Sequence, residues 1–116
     1  METFTTFRHF DQLRKRREQV AMTLRHLEKE HGEVERNTDW LDQAAYESRV
    51  RLLDRLTEWY FEELNKIDEA LKRAEKNTYG SCAACHRPIE PARLDAQPDT
   101  QYCAGCQTVR EELETA

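Results

Sequence analysis

Beginning near Phe10, one set of positions advances by alternating steps of three and four residues: Leu13, Arg17, Val20, Leu24, Leu27, His31 and Val34. Most are apolar. An average step of 3.5 residues keeps one stripe of a helix turned toward a partner, so this is the seam of a coiled coil. A second series, Tyr46, Val50, Leu53, Thr57, Tyr60, Leu64, Ile67, Leu71 and Ala74, keeps the same alternation with Thr57 as its polar member. The pattern therefore predicts two helices that face each other.

Between the two series stand Asn37, Thr38 and Asp39, residue types whose side-chain oxygens cap helix starts. The turn is expected near 35–39, and a connection this short forces the helices antiparallel. At about 1.5 Å rise per residue, the first helix would extend on the order of 35 to 40 Å. The second helix is expected to stop near Lys76, where Asn77, Thr78, Tyr79 and Gly80 supply a break. A last short helix, about Ala104 to Glu114, would turn Val109 and Leu113 toward the base of the hairpin. Phe4, Phe7 and Phe10 are expected to pack there as well. The fold class is thus mainly α: a long antiparallel coiled-coil hairpin over 1–77, then a small metal module with a short C-terminal helix over 78–116.

Composition supports extended helices rather than a large core. Only 38% of the 116 residues are hydrophobic, 35% are charged, and Gly and Pro contribute three each. The formal charge of -5 argues against broad attraction to nucleic acid phosphate. No run approaches the roughly 20 apolar residues that span a bilayer, and Met1 to Phe10 lacks the order of a secretory signal. A cytoplasmic monomer without a membrane partner is expected.

The strongest chemical signal is Cys82-Ala-Ala-Cys85, then 17 residues, then Cys103-Ala-Gly-Cys106. Two thiolates separated by two residues grip one side of a tetrahedral ion, and two such pairs close the shell. One structural Zn2+ is expected, with no coordination position left for a reactive water. Pro88, Pro91 and Pro98, all the prolines of the chain, fall between the cysteine pairs, as an irregular loop pinned at both ends would require. His86 follows Cys85 but is superfluous to a four-sulfur site. His9, His26 and His31 show no partner in the sequence and read as ordinary helix positions. Without a nucleophile, an open metal position or a phosphate-cradling Gly-rich loop, the chain is not expected to be an enzyme.

At the mouth of the second helix lies Asp39-Trp40-Leu41-Asp42-Gln43-Ala44. Physically, Asp39 suits a cap and Asp42 a first-turn position, where negative charge meets the positive end of the helix dipole. Trp40 and Leu41 suit either hairpin packing or exposed anchoring.

This Asp-x-x-Asp-x-Ala tip, the heptad hairpin and the four-cysteine knuckles together resemble the DksA/TraR family of bacterial transcription regulators. The segments Ile67 to Arg73, Tyr79-Gly80-Ser81-Cys82 and Arg93-Leu94-Asp95-Ala96 resemble that family's helix-to-finger junction and finger loop. The resemblance implies a regulator that binds bacterial RNA polymerase rather than a DNA sequence, inserting the hairpin into the secondary channel to modulate initiation. It marks Asp39, Asp42 and Ala44 as the tip. Of three basic positions implied for the alarmone ppGpp, only Lys66 matches. The other two are Gln97 and Gln107, which implies weak or absent ppGpp synergy. The run Arg14-Lys15-Arg16-Arg17 reads as a solvated helix face or a dock for an acidic rim. A zinc-knuckle nucleic-acid module and a coiled-coil adaptor are the alternative classes.

Overall fold

The computed structural model describes residues 2–36 and 42–115, with side chains from Arg8 onward. The turn near Asn37, the residues Asp39, Trp40 and Leu41, and the side chains of Phe4 and Phe7 lie outside the described residues. Among the described residues four helices occur in chain order: α1 (Glu2–Arg36), α2 (Gln43–Glu75), α3 (Pro91–Ala96) and α4 (Ala104–Thr115). An isolated antiparallel bridge joins Ser81 to Pro88.

Both ends of α2 are set by recognisable local chemistry. Asp42 is the N-cap of α2: its Oδ1 accepts from the Ala45 amide at 2.7 Å, and its carbonyl accepts from the Tyr46 amide at 3.0 Å. This corrects the expectation that Asp42 occupies the first turn, because Gln43 is the first helical residue and the first turn has no acidic side chain. At the other end, Asn77 takes a left-handed conformation (φ 59°). The Thr78 amide donates to Arg73 O at 2.8 Å and the Asn77 amide to Ala74 O at 3.2 Å. These two bonds make a Schellman stop that satisfies the last carbonyls of α2.

The chain divides into two compact units, Arg16–Asn65 on one hand and Met1–Lys15 with Lys66–Ala116 on the other. Within the first, Val20, Leu27 and Leu53 are buried, while Leu24, Tyr46, Val50, Thr57 and Tyr60 are half-buried along the predicted seams. Arg17 departs from this, lying exposed. The antiparallel register is fixed at the flanks. Arg16 bonds Glu63, Glu30 bonds Arg49 at 3.1 Å, and His31 approaches Asp54 at 3.5 Å. Burial of each fully enclosed aliphatic side chain stabilises the pairing by roughly 1.5–3 kcal/mol.

In the second unit, Leu13, Ile67 and Ala70 are buried, and so is His9, at 1% exposure. Cys82, Ile89 and Leu94 form a separate cluster, against which Tyr79, Tyr102, Cys103 and Cys106 pack. The finger loop is less irregular than expected, since α3 starts with Pro91 in its first turn and buries Leu94. Phe10 reaches Tyr79, with ring centroids 5.8 Å apart.

Helix α4 forms where predicted but does not pack as predicted. Val109 and Leu113 are 55% and 72% exposed, and no residue of α4 is buried. The helix is anchored instead through the cysteines at its start and by Arg110, whose guanidinium lies 4.4 Å from the Tyr102 ring centroid.

Candidate metal centre and hairpin tip

The first knuckle is a tight backbone loop. Cys82 donates its amide to Arg87 O at 2.8 Å, and His86 donates to Cys82 O at 3.0 Å. Ile89 donates to Gly80 O at 2.7 Å, closing the loop below. Two residues in left-handed conformation make the reversal possible: His86 at φ 63° and Gly80 at φ 84°. At Gly80 a Cβ would meet Leu94 Cδ1 at 3.7 Å, so backbone conformation rather than space selects glycine. The second pair stands at the mouth of α4, with Cys103 immediately before the helix and Cys106 in its first turn. The Ala83 amide bonds Gln101 O at 2.8 Å and ties one knuckle to the other.

These constraints bring the four Sγ atoms within 4.8 Å of one another. Cys85 and Cys103 sulfurs are 3.9 Å apart. A tetrahedral zinc with sulfur ligands at 2.3 Å has edges of about 3.8 Å, so the spacing fits the ion. The electrostatics point the same way. Desolvation pushes the Cys82 thiol up, but the backbone amides of Cys85, Cys103 and Ala84 and the Cys85 side chain outweigh it and bring the pKa down to about 6. Cys106 is pushed up to about 12, because its proton is shared with Cys103 and Cys82. Four sulfurs so placed cannot all ionise without a cation, and a divalent metal supplies one. The site holds one structural zinc. His86 is not among the clustered ligands.

The finger is braced by polar contacts. Tyr79 donates its hydroxyl to Pro98 O at 2.9 Å, and burial raises its pKa to about 12. Arg73 Nη2 donates to Thr100 O at 3.2 Å, and Arg93 Nε donates to Tyr102 O at 3.0 Å. Both carbonyls lie just upstream of Cys103, so the two arginines set the approach of the second cysteine pair.

Sequence reasoning missed one residue of this bracing. His9 was expected to be an ordinary helix position, yet its Nε2 lies 2.8 Å from Asp95 Oδ1, an oxygen that also accepts from Arg8 Nη2 at 2.7 Å. The hydrogen bond from His9, and then that from Arg8, hold the Asp95 carboxyl below the usual carboxylate range. His9 also lies 5.9 Å from the Tyr79 ring, centroid to centroid. No local pattern signals a contact between residues so far apart in the chain.

At the tip, Asp42 and Ala44 are exposed, and Asp39 lies outside the described residues. Lys66, Gln97 and Gln107 converge on an open cleft of about 560 Å3, which Arg93, Tyr102 and Arg110 also line. In the basic run, Lys15 pairs with Asp11 at 3.1 Å and Arg16 with Glu63. Among the described residues no helix is long and apolar enough to cross a membrane.

Comparison with known proteins accords with this geometry. The prokaryotic dksA/traR C4-type zinc finger matches residues 77–112. An uncharacterised protein of Aquifex aeolicus is 39% identical over 95 residues, which cover 77% of this chain and 66% of that protein. The RNA polymerase-binding transcription factor DksA of Caulobacter vibrioides is 35% identical over 102 residues, covering 88% of this chain and 67% of that protein. Its Escherichia coli counterpart is 30% identical over 95 residues, covering 82% and 61%. The chain thus spans about two thirds of the length of the curated relatives it matches. The structure of transcription factor DksA2 from Pseudomonas aeruginosa superposes with a TM-score of 0.85 at 28% identity, covering 97% of this chain and 87% of that one. With the hairpin, the four-sulfur site and these relatives taken together, the chain belongs to the DksA/TraR family of C4-type zinc-finger proteins.

Proposed function

We propose that this protein is a transcription regulator that binds bacterial RNA polymerase directly, through protein contacts rather than a DNA sequence. The hairpin enters the secondary channel of the enzyme, and Asp39, Asp42 and Ala44 act at its tip to modulate initiation. The observation that carries this reading is the exposed carboxylate of Asp42 at the mouth of α2, in a chain aligned over 88% of its length with an RNA polymerase-binding transcription factor. Physically, capping holds one carboxylate oxygen against Ala45, so the charge is presented in one orientation rather than on a floppy side chain. The structural zinc staples the finger. The protein performs no chemistry of its own and works as a cytoplasmic monomer.

Alarmone synergy is weak or absent in this reading. Lys66 is joined in its cleft by Gln97 and Gln107, which offer neutral amides to a multiply charged phosphate ligand. The cations Arg93 and Arg110 lining the same cleft are countered by Asp99, Glu111 and Glu114.

The test is association with purified bacterial core polymerase, followed by in vitro transcription with and without ppGpp. Micromolar or tighter binding and a promoter effect that ppGpp changes by less than twofold are expected. No association at micromolar concentration removes the reading. An adaptor that merely uses the hairpin as a scaffold would be indifferent to replacing both Asp39 and Asp42 with Asn, whereas a tip-acting regulator keeps binding and loses its transcriptional effect.

A further inference from the structure

The two cysteine pairs are held in place by different means. Around Cys82 and Cys85 the restraints are local and lie in the backbone: the Cys82 amide donates to Arg87 O at 2.8 Å, the His86 amide to Cys82 O at 3.0 Å, and the Ile89 amide to Gly80 O at 2.7 Å. Cys82 is 1% exposed and packs with Ile89 and Leu94 in the buried cluster of the finger. A loop closed over so few residues costs little entropy to keep closed, and a segment rooted in buried contacts resists local opening.

The second pair only borders that cluster. Cys103 stands immediately before α4 and Cys106 lies in its first turn, and no residue of that helix is buried. The approach to α4 is held instead by side-chain donors that reach the carbonyls upstream of it. Tyr79 Oη donates to Pro98 O at 2.9 Å, Arg73 Nη2 to Thr100 O at 3.2 Å, and Arg93 Nε to Tyr102 O at 3.0 Å. A fourth carbonyl, that of Gln101, accepts from the Ala83 amide at 2.8 Å.

Arg73 is set apart from the other donors by its surroundings. It is half-buried, its Nε is enclosed without a hydrogen-bond partner, and burial holds its pKa below the usual guanidinium range against the pull of Glu69 and Asp99. Such a group adds little net stability, because desolvation offsets the bond it makes. Its clear effect is to fix Thr100, three residues before Cys103.

We propose that the zinc site opens at Cys103 and Cys106 while Cys82 and Cys85 keep their place, and that Arg73 is the positioning residue that holds this second pair closed. Opening breaks the bonds from the Cys103 and Cys106 sulfurs to the ion, and each released thiolate takes a proton from solvent. Exposure alone gives the opposite order, since Cys85 is exposed whereas Cys103 and Cys106 are half-buried.

The experiment treats the zinc-loaded full chain with dilute iodoacetamide and no chelator, so that alkylation traps whichever pair has opened while the other still holds the ion. Trypsin cleavage after Arg93 separates the pairs for mass spectrometry, and each initial rate is divided by that of the same cysteine in the urea-unfolded chain. In the wild type Cys103 and Cys106 should be labelled at least threefold faster than Cys82 and Cys85. Arg73→Met keeps an apolar stem without the donors; it should speed labelling of the second pair at least fivefold and leave the first within twofold. Arg73→Lys, which restores a donor, should bring the rate back to within twofold of the wild type, and Lys72→Met, at the exposed neighbouring position, should leave it unchanged. Labelling of Cys85 first, or of all four cysteines in one step, overturns the order of opening. Rates in Arg73→Met that match the wild type, or that rise alike for all four cysteines as a general loss of stability would produce, overturn the role of Arg73. The wild-type order is read without any variant, so it decides the first half of the proposal even if Arg73→Met does not fold.

Discussion

His9 and Asp95 lie 86 positions apart in the chain and are joined by a 2.8 Å contact between Nε2 and Oδ1. One partner is nearly inaccessible and the other is half exposed, at 1% and 49% of their side-chain surfaces. The contact fastens the N-terminal part of α1 to the finger loop, within the same compact unit as the zinc site. Replacing His9 with Ala deletes a buried ring from that unit, and the loss should destabilise it by about 2–4 kcal/mol. Urea unfolding followed by the near-ultraviolet signal of the tyrosines checks this, and a midpoint equal to that of the wild type would contradict the assigned role.

Removing zinc should unfold the finger before the hairpin. The finger cluster is three buried side chains, Cys82, Ile89 and Leu94, one of which is itself a ligand. So small a core depends on its metal. Elemental analysis should find one zinc per chain, and chelation should abolish the near-ultraviolet signature of Tyr79 and Tyr102 while most far-ultraviolet helicity remains. Cys82→Ser should reproduce the loss, because it removes both a ligand and the centre of the cluster.

Two roles meet in Asp42, the cap at the start of α2 and the proposed action at the tip. Asn caps a helix about as well as Asp, so Asp42→Asn should cost only a few tenths of a kcal/mol, whereas Asp42→Ala should cost about 1 kcal/mol. Thermal melts of the two variants check the cap. If charge at the tip is what acts, both variants lose the effect on transcription although Asp42→Asn keeps the helix.

Alkaline titration reports on Tyr79. Burial raises its folded pKa to about 12 from the ordinary 10.0. The folded form therefore retains the phenol proton longer than the unfolded chain does. Its contribution to stability is complete below pH 10 and is lost as the pH rises from there toward 12. Absorbance near 295 nm should show a late-titrating component that Tyr79→Phe removes, and a titration in which every tyrosine ionises near pH 10 would count against burial of this hydroxyl.

Much of the fold was legible because it is written in local spacing. The three-and-four alternation placed Val20, Leu27, Leu53 and Ile67 in the seam, where they are buried. The spacing of Cys82, Cys85, Cys103 and Cys106 alone specifies the metal. Asn77 marked the end of α2 because few other residue types tolerate a left-handed stop. What failed was longer in range or balanced between near-equal options. Two aspartates three residues apart both suit a cap, and only the backbone shows that α2 starts after Asp42. Val109 and Leu113 are spaced like a buried stripe, but the cysteines and the Arg110 contact with Tyr102 hold α4 without them. The Pro91 signal for α3 was present in the sequence, since proline suits a first helical turn and Leu94 follows at core spacing. The gathering of Lys66, Gln97 and Gln107 on one cleft followed the family resemblance rather than any spacing rule.

The proposed entry of Asp39, Asp42 and Ala44 into the secondary channel of RNA polymerase would bring them toward that enzyme's catalytic metal. Replacing that metal with Fe2+ in the complex generates hydroxyl radicals that cut any backbone lying close by. Bound wild-type protein should be cleaved in a single cluster within residues 37–44. Cleavage centred in the finger, or an intact chain in a complex shown to be fully formed, would contradict the account.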